Sequence, residues 1–396
     1  MTSPPVVSTS WRRLFLILAL PAISSAPVWS QPAISWPGET WETSTPEAEG
    51  IHPDSVAAIV ADMESGAYGY IDAFMLIRHG RVVADYRFEQ DYETLAAQYD
   101  TTNYQYNYDH PDWHPYYQGT DLHSLQSVTK SVLSAAMGIA IDEGHIEGVH
   151  VPAMSFFDAY RPFETDARKE AMTLEDLLTM RSGLLWQDTG GYDSDEHDTI
   201  KLEASDTWIQ FVLDKPTDAQ PGTQWQYNDG ASVLIGKILR EATGQRADDW
   251  ANQRLFQPIG IDAFYWKTTP DGEADTEGGL YLRTEDLARV GYLFLRGGNW
   301  NGTQVISQDW VEASTSPVVP HINGPQSIGY GYQWWVPRHE DGQTRIFAAN
   351  GYGGQFLLVS PEHDIVAVFN GWTIHDRPAK STWTALQQRI LPALLD

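Results

Sequence analysis

Strand-like runs lie at both ends of this 396-residue chain, and a long block of helical pattern separates them. Near the start, Ala73 to Glu89 holds two β-rich runs joined by Arg78-His79-Gly80, the pattern of a hairpin. A helix over His52 to Gly66 precedes it, with Pro53 near its start and Gly66 past its end. Near the finish, strand patterns return at Gly329 to Val336, Gln343 to Ala349 and Gly354 to Gly371. A last helix is expected over 381–395. Between these ends, helices are predicted over Ser127 to Glu143, Leu174 to Gly183, Asp206 to Lys215, Ala231 to Gly244 and Thr284 to Gly298. Strands at both termini can share a core only by joining one sheet. The expected architecture is therefore α+β, a sheet built from both chain ends with an all-α subdomain inserted in the middle and the site at their junction. Residues 45–120 and 310–396 would form the α/β part and 121–309 the mainly helical part, within a single catalytic domain over 31–396.

Composition narrows the partners. The net charge of -28 argues against nucleic acid or an anionic membrane as ligand. With 42% hydrophobic residues the chain is not of disordered type. Cysteine is absent, which removes disulfides, thiol catalysis and cysteine metal sites together.

The first 30 residues read as a signal peptide. Arg12-Arg13 precedes an apolar run from Leu14 to Ala19, and small residues lead to a cleavage site after Ser30. The run is short for a bilayer span, so no membrane span is expected in the mature chain. Export by the general secretory route or a twin-arginine route, to the periplasm or the cell exterior, is expected.

The segment Ser127-Val128-Thr129-Lys130-Ser131 opens a helix that then turns apolar. Of the seven lysines only Lys130 has a serine three residues before it, on the same helical face. Two readings stand: Ser127 caps the helix, or Ser127 and Lys130 are a nucleophile and its proton acceptor. In the second, burial would push the Lys130 pKa down toward a useful base. Tyr227 and Asp229 follow a Pro-Gly turn before another helix. Tyr227 is either a half-buried aromatic or a proton shuttle whose pKa two cations would lower, and Asp229 is an N-cap or a site residue. In Asn350 to Gln355, glycines before a strand read as a bulge or as a close backbone approach to a ligand.

At these places the sequence resembles the serine β-lactamase and penicillin-binding-protein superfamily, most of all its class C β-lactamase-related esterases, amidases and 6-aminohexanoate-dimer hydrolases. The matching pieces are "SVTKS", "LEDLLTMRSGLLW", "PGTQWQYNDGA", "LFQPIGI", "GGLYLRTEDLARVGYLFLRGG" and "NGYGGQFLLVSPEHDIVAV", in the family's order. The resemblance implies a β-lactamase/transpeptidase-like fold and an acyl-enzyme mechanism without a cofactor or metal. Ser127 would attack an ester or amide carbonyl of a small molecule. Lys130 and Tyr227 would manage the proton, and the backbone amides of Ser127 and of Tyr352 or Gly353 would hold the oxyanion. Asp229, Gly351, Gly354, Tyr192 and Trp186 are expected to support the site or bind substrate.

Two departures refine the expectation. Asp229 stands where the family's Tyr-x-Asn motif has an amide. The Asn350 to Gly354 stretch carries no cation, where β-lactamases and carboxypeptidases use one to bind a substrate carboxylate. The resemblance thus favours an esterase or amidase over a β-lactamase or D-Ala-D-Ala carboxypeptidase, with a non-catalytic binding protein on the same fold as a further alternative. The aromatic run Tyr104 to Tyr117 reads as a pocket wall or a pinned surface loop, and Asp193 to Asp198 as a solvated loop or a cation holder.

Overall fold

The computed structural model describes Met1 and residues 34–97, 118–161, 166–189, 192, 194–322, 328–337, 346–373 and 378–395. The expected signal segment beyond Met1 and the aromatic run Tyr104 to Tyr117 lie outside the described residues, as do Asp193 and the first three residues of the Gln343 to Ala349 run. Among the described residues no helix is long and apolar enough to cross a membrane.

Among the described residues the main sheet has eight strands: β1 (Glu42–Thr43), β2 (Ile71–Arg78), β3 (Arg81–Arg87), β4 (Gly329–Tyr330), β5 (Trp335–Val336), β6 (Phe347–Gly351), β7 (Gln355–Ser360) and β8 (Ile365–Gly371). Their spatial order is β1-β3-β2-β8-β7-β6-β5-β4. The two chain ends meet where β8 pairs antiparallel with β2, Val366 opposite Ile77 and Phe369 opposite Phe74. Among the described residues only the β1–β3 pair is parallel. The β2–β3 turn needs positive φ at both centres, and His79 (φ 53°) and Gly80 (φ 78°) supply it.

Both faces of the central strands β2, β7 and β8 are buried, so β7 and β8 read as nearly unbroken apolar runs rather than as alternations. Met75, Ile77, Leu357, Val359, Val366 and Val368 face the larger core, which also contains most of the helical block. Phe74, Leu76, Phe356, Leu358, Ala367 and Phe369 face a second core under the helix α1 (Pro53–Glu64).

Three further helices position the site: α2 (Val128–Asp142), α3 (Asp229–Thr243) and α4 (Thr284–Leu295). α4 lies against β7 and β8, and a side chain at Gly291 would start 2.5 Å from Leu357. α2 is buried along its whole length from Val128 to Ala140. Its early hydroxyls each tie it to a different element: Thr129 Oγ1 accepts from the Leu280 amide at 3.2 Å, and Ser131 Oγ donates to the Gln333 carbonyl at 2.6 Å. The helical block also carries a small sheet of His123–Ser124, Tyr265–Trp266 and Leu280–Leu282.

Two elements differ from the sequence reading. Gly329 to Val336 is not one strand but two, β4 and β5, folded back at Gln333 (φ 62°). The last helix is interrupted, with regular helix only over Thr382–Ala385. Pro392, which lacks an amide hydrogen, sits in the short 3₁₀ turn Leu391–Ala393 that ends it.

Candidate active site

Ser127 is set by the strand before it and the helix after it. His123 and Ser124 pair with Leu282 and Tyr281, and the Leu125 amide donates to the Leu280 carbonyl at 2.9 Å. Gln126 then takes a left-handed backbone, φ 49°, which is strained for a side chain with a Cβ. That twist delivers Ser127 to the start of α2, half-buried, with its hydroxyl turned away from the helix amides. Ser127 therefore makes no side-chain cap, and the capping reading fails. Its Oγ instead accepts from Lys130 Nζ at 2.9 Å and lies near enough to the Tyr227 hydroxyl to help lower its pKa.

Lys130 is almost fully buried, at 1% exposure. Its ammonium contacts Asp229 Oδ1 at 2.7 Å and Glu277 Oε2 at 3.5 Å, and it donates to the Glu277 carbonyl. It also lies 5.2 Å from the centre of the Tyr227 ring. Burial drives its pKa down, but Asp229, then Tyr227 and Glu277, outweigh burial and hold it well above the ordinary lysine value. The expected depression is thus corrected. Two carboxylates stand beside the amine, and desolvation favours a neutral lysine only when such partners are missing.

Asp229 is not the helix cap either. Asn228 caps α3 by accepting from the Ala231 amide at 3.1 Å, leaving Asp229 as the first helical residue, aimed at Lys130. Thr199 Oγ1 donates to Asp229 Oδ2 at 2.5 Å and fixes the carboxylate from the other side.

Tyr227 is carried on a loop tied to a second loop, since the Gln226 amide donates to the Met180 carbonyl at 2.9 Å. Its ring stacks on Trp335 at 6.0 Å and 19°. Burial pushes its pKa up, Lys130 pulls it down, Asp229 pushes it up again, and it settles at about 12. The sequence reading of a phenol lowered by two cations is corrected on this point: the effect of Lys130 is outweighed by burial and Asp229.

The glycine stretch closes against the same turn. A Cβ at Gly351 would fall 2.4 Å from the Leu125 carbonyl oxygen and 3.1 Å from Gln126 Cβ, so only glycine lets the end of β6 lie beside the residues leading to Ser127. Gly353 (φ 82°) and Gly354 (φ 102°) turn the chain into β7. Tyr352, 36% exposed, sets its ring 5.0 Å from that of Tyr192. Burial, Asp229, Tyr227 and Glu277 all raise the Tyr192 pKa, which puts its phenol in the field of the Lys130 cluster. Trp186 is buried behind the start of α3, where a Cβ at Gly230 would meet its ring at 2.7 Å. It supports the Asp229 turn by packing.

In the acidic loop, Asp198 is engaged within the fold: it contacts Lys215 at 2.8 Å and accepts from the Gln187 amide at 2.8 Å. Among the described residues, no group of three or more His, Cys, Asp or Glu side chains is arranged to hold a metal.

Sequence reasoning missed Glu277, Thr199 and Trp335. Glu277 sits in Glu273-Ala274-Asp275-Thr276-Glu277, which reads as a solvated acidic turn in a chain with 53 acidic residues. The one available signal was the Gly278-Gly279 pair behind it. A side chain at Gly279 would strike Asp275 at 2.5 Å, a mark of tight packing.

A sequence model described as Beta-lactamase matches residues 59–388, most of the chain. A 6-aminohexanoate-dimer hydrolase of Paenarthrobacter ureafaciens is 26% identical over 370 residues, covering 88% of this chain and 84% of that protein. The fold is shared with EstCE1, a hydrolase with promiscuous acyltransferase activity (TM-score 0.63, 15% identity, 87% of this chain and 98% of that one). It is shared also with a D-stereospecific amidohydrolase from Streptomyces (TM-score 0.59, 14% identity, 85% and 98%). With its family match spanning both halves of the sheet and the helical block between them, this chain belongs to the beta-lactamase family of serine hydrolases.

Proposed function

We propose that the protein hydrolyses a small-molecule ester or linear amide through an acyl-enzyme on Ser127. The observation that carries this is Lys130 Nζ at 2.9 Å from Ser127 Oγ, with the same amine 5.2 Å from the centre of the Tyr227 ring. Ser127 Oγ attacks the substrate carbonyl while its proton passes to the Lys130–Tyr227 pair. The same proton then goes to the leaving alkoxide or amine, and water reverses the sequence. The amides of Ser127 and of Tyr352 or Gly353 are the proposed donors to the oxyanion.

Both members of the pair are protonated at rest, since both are held above their ordinary range or near its top. The reactive form is the pair with one proton fewer. Neutral lysine with phenol and ammonium with phenolate are two arrangements of that one state. Activity should therefore rise with pH. Acid–base chemistry of this kind requires no cofactor.

Ester or amide substrates are favoured by the uncharged Asn350 to Gly354 stretch and by the aromatic Tyr352 and Tyr192 above it. The names of the hydrolase and amidohydrolase relatives support the same class. The reading includes export, which rests on Arg12-Arg13 and the apolar run after it. Cell fractionation with mass measurement of the mature chain checks that part.

The test is a panel of p-nitrophenyl acetate and butyrate, linear amides, nitrocefin and a D-Ala-D-Ala peptide, run on wild type and Ser127→Ala. Ser127→Ala should lose at least about 1,000-fold in rate on the turned-over substrate while keeping its fold. Wild-type turnover in that variant overturns the mechanism. Preferential turnover of nitrocefin or the D-Ala-D-Ala peptide overturns the substrate class.

A further inference from the structure

Asp72 lies near the start of β2, buried at 9% exposure, and the proton transfers around Ser127 do not use it. Its Oδ2 meets two rings from distant parts of the chain. His123 Nε2 lies 2.9 Å away, and the Trp372 indole N–H donates to the same oxygen. The two rings pack on each other with centres 4.5 Å apart. Asp72 Oδ1 has no hydrogen-bond partner among the described residues. A buried carboxylate with one oxygen unpaired costs stability, and an apolar side chain of similar size would fill the space more cheaply. Holding the fold together is thus a poor reason for an acid at this place.

What the acid joins is more telling. His123 opens the run that passes through the left-handed Gln126 and ends on Ser127, four residues later. Trp372 follows β8, and its amide donates to the Tyr70 carbonyl at 2.7 Å. The next amide, that of Thr373, donates to the Gly353 carbonyl at 2.9 Å. On the other side of Gly353, Gln355 Nε2 donates to the Tyr352 carbonyl at 3.3 Å and also to the Gly371 carbonyl. The Gly371 amide returns a bond to Gln355 Oε1 at 3.2 Å. Residues 371–373 therefore hold the peptide units on both sides of Gly353. The two arms of Asp72 end on the two backbone stretches that carry the proposed oxyanion donors.

We propose that Asp72 is a positioning residue that fixes the separation of those donors, acting on Ser127 through His123 and on Tyr352-Gly353 through Trp372. The inference rests on the proposed acyl-enzyme reading, because only a tetrahedral intermediate on Ser127 calls on both donors at once. Such donors help only when they are in place before charge develops, and a misplacement of about 1 Å can cost on the order of 100-fold. A carboxylate oxygen suits the task, since its lone pairs accept from two donors together. The rings that reach it are rigid, with two side-chain torsions each. Gly351 lets the two stretches touch, and Asp72 ties them together through side chains. The clamp acts on the transition state more than on the uncharged substrate, so its loss falls on kcat rather than on KM.

The test is ester hydrolysis by four variants. Asp72→Leu keeps the size and takes the acceptor from both rings. It should lower kcat by about 10–100-fold with KM within about threefold of wild type. Its Ki for phenylboronic acid, which forms a tetrahedral adduct on a nucleophilic serine, should rise by a similar factor. Asp72→Asn keeps one oxygen for both rings and should return kcat to within about fivefold of wild type. Trp372→Phe removes one donor while keeping most of the packing, and should lower kcat by about 3–10-fold. It reads the clamp even if Asp72→Leu does not fold. Ile59→Ala, in the second core under α1, should lower the melting temperature and leave kcat unchanged, which separates the clamp from lost stability. Wild-type kcat in Asp72→Leu or Trp372→Phe, a loss that falls on KM, or an Asn variant no better than the Leu one overturns the inference. If Ser127→Ala is inactive beside such a result, the acyl-enzyme reading stands and the clamp alone falls. If Ser127→Ala is active, both fall.

Discussion

Replacing Asp229 with asparagine separates its charge from its shape. The carboxylate lies 2.7 Å from Lys130 Nζ, and it raises the pKa of both Lys130 and Tyr227. At an effective dielectric near 20, the Lys130 contact alone amounts to ~6 kcal/mol of Coulomb energy, an upper bound before solvation and the remaining Glu277 charge are counted. Measured effects of one opposite charge at this range are about 1–3 pKa units, and each unit is about 1.4 kcal/mol or a factor of ten in the deprotonated fraction. Asp229→Asn should move the rising limb of kcat/KM down by about 1–3 units whichever member of the pair is the base. The assay is ester hydrolysis across pH 6 to 10 under conditions where kcat/KM is read directly.

Stability provides the control. The folded Lys130 pKa lies above its unfolded value, so the ion pair's contribution is fully present below about pH 10 and is lost only as pH rises through the folded value. The variant's destabilisation, at most about 3–5 kcal/mol, should therefore be constant over the assay's neutral range. A limb that stays in place, or moves up, refutes the idea that Asp229 holds the proton on the Lys130–Tyr227 pair.

Tyr227→Phe and Lys130→Ala should each reduce kcat by about 100–10,000-fold, and the double variant should lose little more than the worse single one, because the two groups handle one proton. Full additivity in that cycle would show two independent roles. Gly351→Ala should destabilise the protein by about 1–3 kcal/mol, because its Cβ would start 2.4 Å from the Leu125 carbonyl oxygen. It should also cost more than about tenfold in kcat by displacing the Ser127 turn. A variant equal to wild type in melting temperature and rate would show that β6 is not what fixes that turn.

The outline of the site was legible because its chemistry lies in short runs of local pattern. Ser127 and Lys130 are one helical turn apart, Tyr227 follows a Pro-Gly turn, and the glycines at 351, 353 and 354 announce a close backbone approach. The fold was legible for a similar reason. Buried runs such as Phe356 to Val359 and Ile365 to Phe369 are apolar throughout and bounded by polar residues. The charge state of the site was not legible. Whether Lys130 is lowered or raised depends on Asp229 and Glu277: Asp229 stood out only as a site residue, with nothing to aim it at Lys130, and Glu277 looks like any other acid in so acidic a chain. The stacking of Trp335 on Tyr227 was hidden too, because the fold-back at Gln333 places a positive φ on a residue that gives no such signal. The two capping readings failed because a serine or aspartate before a helix is ambiguous until a neighbour takes up its oxygen.

The pairing of β8 with β2 also fixes when the enzyme can exist. β8 is the last strand to be synthesised, yet it lies at the middle of the sheet, between β2 and β7. On a growing chain β2 can pair with β3 at once, but its other edge, along Phe74, Leu76 and Ile77, waits for β8 while some three-quarters of the sequence is made. Contacts of such long sequence separation close slowly, and until they do the Gly351 wall beside Ser127 is missing. Completion of the surroundings of Ser127 thereby waits for β8, and loss of that strand would remove the sheet's centre rather than trim its edge.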